Sequence, residues 1–158
     1  MDLKGKNIVI TGSTGGIGRE IVKLLDQEEA SLILVSKSES ELQNQLKNLE
    51  GKNNSYFTVD LANHEDTAKK AKEISSKFSK IDVLINAAGI GIYKSLEELS
   101  LEEWNKSMNV NLNATFIMIK ELISNLNNSN ESIVLSLGSG MGVSPEPQRS
   151  AYCTSKFA

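Results

Sequence analysis

The chain reads as an α/β protein built on a doubly wound parallel sheet. Two observations predict this: short apolar runs alternate with amphipathic stretches along most of the sequence, and a glycine-rich turn separates the first apolar run from the first amphipathic one. Strands separated by helices give parallel βαβ units with helices on both faces, and right-handed crossovers wind the sheet in both directions.

The elements follow in order. Asn7–Thr11 is a buried strand, and Gly16–Gln27 is an amphipathic helix. Ser31–Val35 is a second strand, with a helix at Ser40–Leu49. Tyr56–Val59 is a third strand. Asn63–Phe78 is a long polar-faced helix whose first turn carries Glu65 and Asp66, the sign that suits the helix dipole. Val83–Ile85 is a fourth strand. Ser95-Leu-Glu-Glu98 and Ser100-Leu-Glu-Glu103 both fit the capping-box pattern. They predict a short helix and then a longer one running through Trp104 and Asn111 toward Leu126. Ser132–Leu137 is a fifth strand. Glycines with Pro145 and Pro147 mark a loop, and a last helix starts at Ser150 or Ala151.

Composition narrows the function. The 158 residues suit a single domain, residues 1–158. The net charge of −3 is spread over interspersed lysines and acids, and only Arg19 and Arg149 are arginine. This points away from nucleic acid and anionic membranes as partners. One cysteine, Cys153, leaves no intramolecular disulfide, and one histidine, His64, argues against a metal site. With no apolar run of membrane-spanning length and no visible signal peptide, the expected location is the cytoplasm.

Three groups of residues carry chemistry. Thr11-Gly12-Ser13-Thr14-Gly15-Gly16-Ile17-Gly18 lies between a strand and a helix. There Gly12 serves the tight turn, and small residues at 16 and 18 let a pyrophosphate approach free N–H groups at the helix start. The spacing differs from the phosphate loop of NTPases, since no lysine follows Gly16. At the other end, Tyr152 and Lys156 stand four residues apart, with Ser139 thirteen residues before the tyrosine. A free tyrosine ionises near pH 10. A cation one helical turn away favours the phenolate, so the phenol can exchange a proton with a carbonyl or alcohol oxygen. Ser139 is placed to hydrogen-bond that oxygen as charge develops. Third, Leu34-Val35-Ser36-Lys37 ends the second strand without an acid. An acid there would suit the 2′-hydroxyl of NAD, whereas a base suits the 2′-phosphate of NADP. Ser36 and Lys37 therefore favour NADP, with NAD as the alternative.

In order and spacing these motifs resemble the short-chain dehydrogenase/reductase family, of the 3-oxoacyl reductase kind, across essentially the whole chain. The resemblance implies a Rossmann-type sheet of strand order 3-2-1-4-5. It implies that Gly12, Ser13, Thr14, Gly16, Ile17 and Gly18 hold the dinucleotide. Asp60-Leu61 resembles the family's acidic contact to adenine. Asn86-Ala87-Ala88-Gly89 resembles its Asn-Asn-Ala-Gly turn, with Ala87 for the second asparagine. Asn111, Ser139, Tyr152 and Lys156 match the catalytic positions. Asn111 would support a proton-relay water, and Lys156 would also hold the nicotinamide ribose. The implied activity interconverts a ketone and a secondary alcohol, and a complete chain would form homo-oligomers. Family members continue beyond the Tyr-x-x-x-Lys motif, so the C-terminal strands are expected to be missing. A truncated dinucleotide-binding fragment without turnover is the alternative reading, with Tyr152 and Lys156 on a fraying last helix. A third is an extended-type relative, whose G-x-x-G-x-x-G spacing Gly12, Gly15 and Gly18 also satisfy.

Overall fold

Five parallel strands form one sheet in the order β3-β2-β1-β4-β5 in the computed structural model, which describes residues 2–51 and 53–158. The strands are β1 (Asn7–Thr11), β2 (Ser31–Ser36), β3 (Ser55–Thr58), β4 (Val83–Asn86) and β5 (Ile133–Ser136). The helices are α1 (Gly16–Gln27), α2 (Glu39–Lys47), α3 (His64–Lys77), α4 (Leu101–Met108), α5 (Ala114–Asn127) and α6 (Ser150–Phe157). Strand order and parallel pairing are those expected from the sequence.

The central strands are buried on both faces, which is why they read as continuous apolar runs rather than alternating ones. Ile8, Ile10, Leu32 and Leu34 pack against Val22 of α1 and Leu42 of α2. Val9, Ile33, Val35 and Leu84 face Ile74 of α3 and Met118 and Leu122 of α5. Each fully buried Leu or Ile contributes about 1.5–3 kcal/mol. Asp82 braces the N-terminal edge of the sheet. Its carboxylate accepts from Asn7 N at 3.0 Å, Ser129 Oγ at 2.7 Å and Lys80 Nζ at 3.1 Å. Burial pushes this carboxyl up, but the three donors together hold it below the usual range.

Capping explains where the helices begin. Ser38 and Asn63 accept from the backbone of Glu41 and Asp66 at the starts of α2 and α3, and acids occupy both first turns. Ser100 and Glu103 form the complete capping box expected at α4. The Ser95 pattern does not start a helix. Glu98 accepts from the Ser95 hydroxyl at 3.1 Å. Glu98 N and Leu99 N close one turn on Ser95 O. Ser100 must then be extended, at φ −74° and ψ 155°, to cap α4, so only a turn fits between. The expected long helix through Asn111 is present as continuous helical backbone from Leu101 to Asn127, but it is not α-helical throughout. A π-helical segment, Asn109–Asn113, separates α4 from α5 and carries Asn111.

Two features concern the end of the chain. All four residues of β5 are exposed, with Ile133, Val134 and Leu135 at 43–46%. The last helix, expected to fray, instead buries Ala151, Cys153 and Ser155 and packs on α4 and the π segment. No described helix is long and apolar enough to cross a membrane. Among the described residues, no three metal-ligating side chains converge.

Candidate active site

β1 neighbours β2 on one side and β4 on the other, so chain direction across the sheet reverses between β1 and β4. A crevice at the C-terminal ends of the strands opens at such a switch point, and the glycine turn lies there. Gly12 has φ +67°, and a Cβ on it would lie 2.6 Å from Ala88 Cα. Only glycine lets the turn after β1 touch the turn after β4 this closely. Ala88 N also donates to Thr11 Oγ1 at 3.3 Å. A Cβ on Gly18 would run into the Gly12 carbonyl oxygen, so α1 starts directly against the turn. A Cβ on Gly16 would meet nothing within 4 Å.

The start of α1 beside this turn is uncapped. α1 has neither a side-chain cap nor an acid in its first turn, so its leading N–H groups stay free. Ser13 is fully buried, yet its Oγ has no hydrogen-bond partner. Thr14 Oγ1 lies 2.6 Å from Ser36 Oγ, which joins the turn to the end of β2. Gln45 of α2, which the motifs did not single out, donates to Ser13 O at 2.9 Å.

A cleft of ≈ 450 Å³ runs from this turn across the strand ends. Gly12, Thr14, Ser36, Asp60, Ala88 and Gly89 line it, together with Lys37 and Leu61. Its volume falls in the range of small-molecule and cofactor sites. Lys37, the base that follows β2, is engaged here: its Nζ lies 2.7 Å from Asp60 Oδ2. The Lys37 hydrogen bond is the main reason that the Asp60 carboxyl is held below its usual range, and a hydrogen bond from Ala62 N adds to it. Ile17, by contrast, projects to solvent at 67% exposure. Another cleft of ≈ 510 Å³ between α1 and α2 contains none of the motif residues.

Past the Gly89 end of this cleft lies a smaller one of ≈ 240 Å³, lined by Asn111, Ser155 and Lys156, and α6 carries Tyr152 and Lys156 on one face. Lys156 Nζ donates to Leu137 O at 2.8 Å and lies 6.0 Å from the Tyr152 ring centre. A Cβ on Gly89 would come within 3.9 Å of Lys156 Nζ and 3.6 Å of Asn111 Oδ1, so these three positions adjoin. Asn111 is buried and pinned. Its Oδ1 accepts from Ile90 N at 2.8 Å, and its Nδ2 donates to Ile90 O at 3.0 Å and to Ser155 Oγ at 2.9 Å. Ser155 in turn donates to Tyr152 O at 2.8 Å. Ser155 was missed from sequence, although a small polar residue between Tyr152 and Lys156 on a helix is a usable signal. Asn86 is buried at the end of β4 with its Oδ1 unpartnered, and its Nδ2 donates to Ser136 Oγ.

Ser139 stands apart from that network. Its Oγ accepts from Met141 N at 3.2 Å and caps a short 3-10 turn, Gly140–Gly142. Tyr93 meets Tyr152 edge-on with ring centres 6.0 Å apart, and the Arg149 guanidinium lies 4.6 Å from the Tyr93 ring centre. His64 and Cys153 serve no such site: His64 is exposed at the start of α3, and Cys153 is a buried residue of α6.

The sequence profile described as short chain dehydrogenase matches residues 6–158. A 3-oxoacyl-[acyl-carrier-protein] reductase FabG of Rickettsia conorii is 32% identical over 156 residues, covering 99% of this chain and 63% of that protein. The chain thus spans less than two thirds of the length of that relative. Among solved structures, an alcohol dehydrogenase from the archaeon Thermococcus sibiricus, complexed with 5-hydroxy-NADP, superposes with a TM-score of 0.90 at 28% identity. That match covers 98% of this chain and 67% of the other. A short chain dehydrogenase from Shigella flexneri 2a, complexed with NADP, superposes with a TM-score of 0.90 at 27% identity, covering 99% of this chain and 69% of the other.

Proposed function

Because the chain belongs to the short-chain dehydrogenase family, we propose that residues 1–158 form one cytoplasmic dinucleotide-binding domain of an oxidoreductase that interconverts a ketone and a secondary alcohol. The observation that carries this reading is a pair of clefts that meet at Ala88: one of ≈ 450 Å³ runs from the glycine turn to Gly89, and one of ≈ 240 Å³ is lined by Asn111 and Lys156, with Tyr152 one helical turn from Lys156.

The residues present fit a dinucleotide. The open space above Gly16, the uncapped start of α1 and the unpartnered Ser13 Oγ suit a pyrophosphate, with Thr14, Ile17 and Gly18 shaping the same turn. Asp60 and Leu61 would hold the adenine, and Asn86, Ala87, Ala88 and Gly89 would line the middle of the cofactor site. NADP is favoured over NAD because Ser36 and Lys37 end β2 with no acid among them. The NADP-bound structures of the two relatives support the same choice. The pairing of Lys37 with Asp60 is the specific observation that favours NAD instead, since it takes up the cation a 2′-phosphate would need.

When bound, the nicotinamide supplies the hydride chemistry. Tyr152 gives its proton to the substrate carbonyl oxygen, or takes one from the alcohol. The positive charge of Lys156 would steady the phenolate that remains, and its ammonium would hold the nicotinamide ribose. Ser139 Oγ–H donates to the same substrate oxygen as charge builds there. For this the hydroxyl must turn its proton to the substrate, which its role as acceptor from Met141 N leaves free. Asn111, fixed by Ile90 and Ser155, holds the wall behind Lys156 in place and supports the water that passes the proton on.

A dinucleotide-binding chain without turnover is the second reading, favoured by the exposure of all of β5 just before the Ser139 segment. Binding of NADPH and NADH, followed by NADPH oxidation with a panel of ketones, separates the two. The proposed activity requires tight NADPH binding and ketone-dependent oxidation. Binding with no oxidation for any ketone would favour the second reading, and no binding of either nucleotide would overturn both.

A further inference from the structure

Resting on the dinucleotide reading above, we propose that Lys106 of α4 is a positioning residue for recognition of an adenosine 2′-phosphate, acting through Asp60: Lys106 neutralises the carboxylate that Lys37 leaves when it turns to the phosphate.

Lys37 is the basic residue placed to meet a 2′-phosphate, but its Nζ lies 2.7 Å from Asp60 Oδ2. Serving the phosphate weakens that contact. A carboxylate stripped of its cation beside an incoming phosphate would oppose binding, so the cost of freeing Lys37 depends on what else compensates Asp60. Lys106 is the group on hand. It lines the ≈ 450 Å³ cleft together with Lys37 and Asp60. The same three residues also line an adjoining cleft of ≈ 560 Å³ that opens toward Leu101 and Asn105 of α4. Asp60 and the two lysines thus share the lining of both clefts. The ionised form of Asp60 is favoured first by the Lys37 hydrogen bond and further by the Lys106 charge.

The other charges nearby are occupied. Glu41, which lines the first cleft, is held by Arg19 at 2.8 Å. Glu103, one turn before Lys106, is held by Lys94 and by the backbone of Ser100. Among the described residues, Lys106 has no carboxylate within ion-pair distance, although Glu102 lies four residues before it on α4. Lys106 is therefore a cation held in reserve, on an exposed helix position where substitution leaves the core untouched.

The test uses two probes that differ by one phosphate, 2′,5′-ADP and 5′-AMP, titrated against wild type, Lys106→Gln, Asp60→Asn and the double variant. Lys106→Gln is expected to weaken 2′,5′-ADP about 3- to 5-fold, the size of an exposed ion-pair effect, and to leave 5′-AMP unchanged. In the Asp60→Asn background, where no carboxylate needs neutralising, the same substitution is expected to have no effect. Loss of 2′,5′-ADP affinity that persists in the Asp60→Asn background would mean a direct or long-range effect on the phosphate and overturns the proposal. No loss, or equal loss for both probes, overturns it as well. If wild type binds neither probe, the dinucleotide reading itself fails, a result distinct from a Lys106 effect of the wrong kind.

Discussion

Gly16→Ala should leave the protein slightly more stable and much poorer at binding a dinucleotide. A methyl group at this position meets nothing within 4 Å, and Gly16 is the first residue of α1. Replacing a glycine by alanine where the backbone permits it stabilises by about 0.4–1 kcal/mol, chiefly by restricting the unfolded chain. For a chain of this size that raises the Tm by roughly 1–4 °C. The same methyl projects into the space where an anion would meet the free N–H groups of α1. Holding the anion off by enough to lose one charge-assisted hydrogen bond costs about 1.5–3 kcal/mol, or about 10- to 150-fold in Kd. Thermal melting and NADPH fluorescence titration on the same preparation read both effects. Gly18→Ala is the contrast, because its methyl would strike the Gly12 carbonyl and damage the fold itself. A Gly16→Ala protein that melts early would refute the claim of open space. One that binds NADPH like wild type would refute the placement of the pyrophosphate.

Three further outcomes are expected. Lys37→Asp should weaken NADPH relative to NADH, since it sets an anion beside Asp60 where the 2′-phosphate would lie; nucleotide affinities unchanged in either case would remove the argument for NADP. Ser155→Ala should destabilise the fold by about 1–3 kcal/mol, because it strips Asn111 Nδ2 of a buried acceptor; this is measurable by urea denaturation. Asp82, whose carboxyl is held below its usual range, contributes stability that is present above the ordinary carboxylate range near pH 4 and lost as pH falls through its folded value. Asp82→Asn should therefore lower stability by about 1.5–3 kcal/mol at pH 7 and narrow the gap to wild type at pH 3, and an unchanged gap would count against the bracing role.

The parts of the fold set by local pattern were legible in advance. β1 and α1 begin and end where the apolar run and the helical period place them, because the glycine turn leaves the chain no other local solution. The four-residue step from Tyr152 to Lys156 likewise translates directly into one face of α6. What escaped were contacts between residues far apart in sequence. The ion pair of Lys37 with Asp60 joins the ends of β2 and β3. The bond from Asn111 to Ser155 spans 44 residues, and no periodicity encodes either. The short helix expected at Ser95 is absent for a different reason. Two capping patterns five residues apart compete, and the second needs Ser100 extended, which leaves the first a single turn. The end of α6 was expected to fray on grounds of length alone. Burial of Ala151, Cys153 and Ser155 against α4 supplies what length does not.

The central claim is that Tyr152 transfers the proton while the rest of the cleft holds the dinucleotide. Tyr152→Phe keeps the ring that meets Tyr93 and deletes only the hydroxyl. Wild type and variant are compared in NADPH binding and in ketone-dependent NADPH oxidation. Equal affinity for NADPH with oxidation reduced about 10²- to 10⁴-fold is the predicted result. A Tyr152→Phe protein that oxidises NADPH at the wild-type rate would contradict the account.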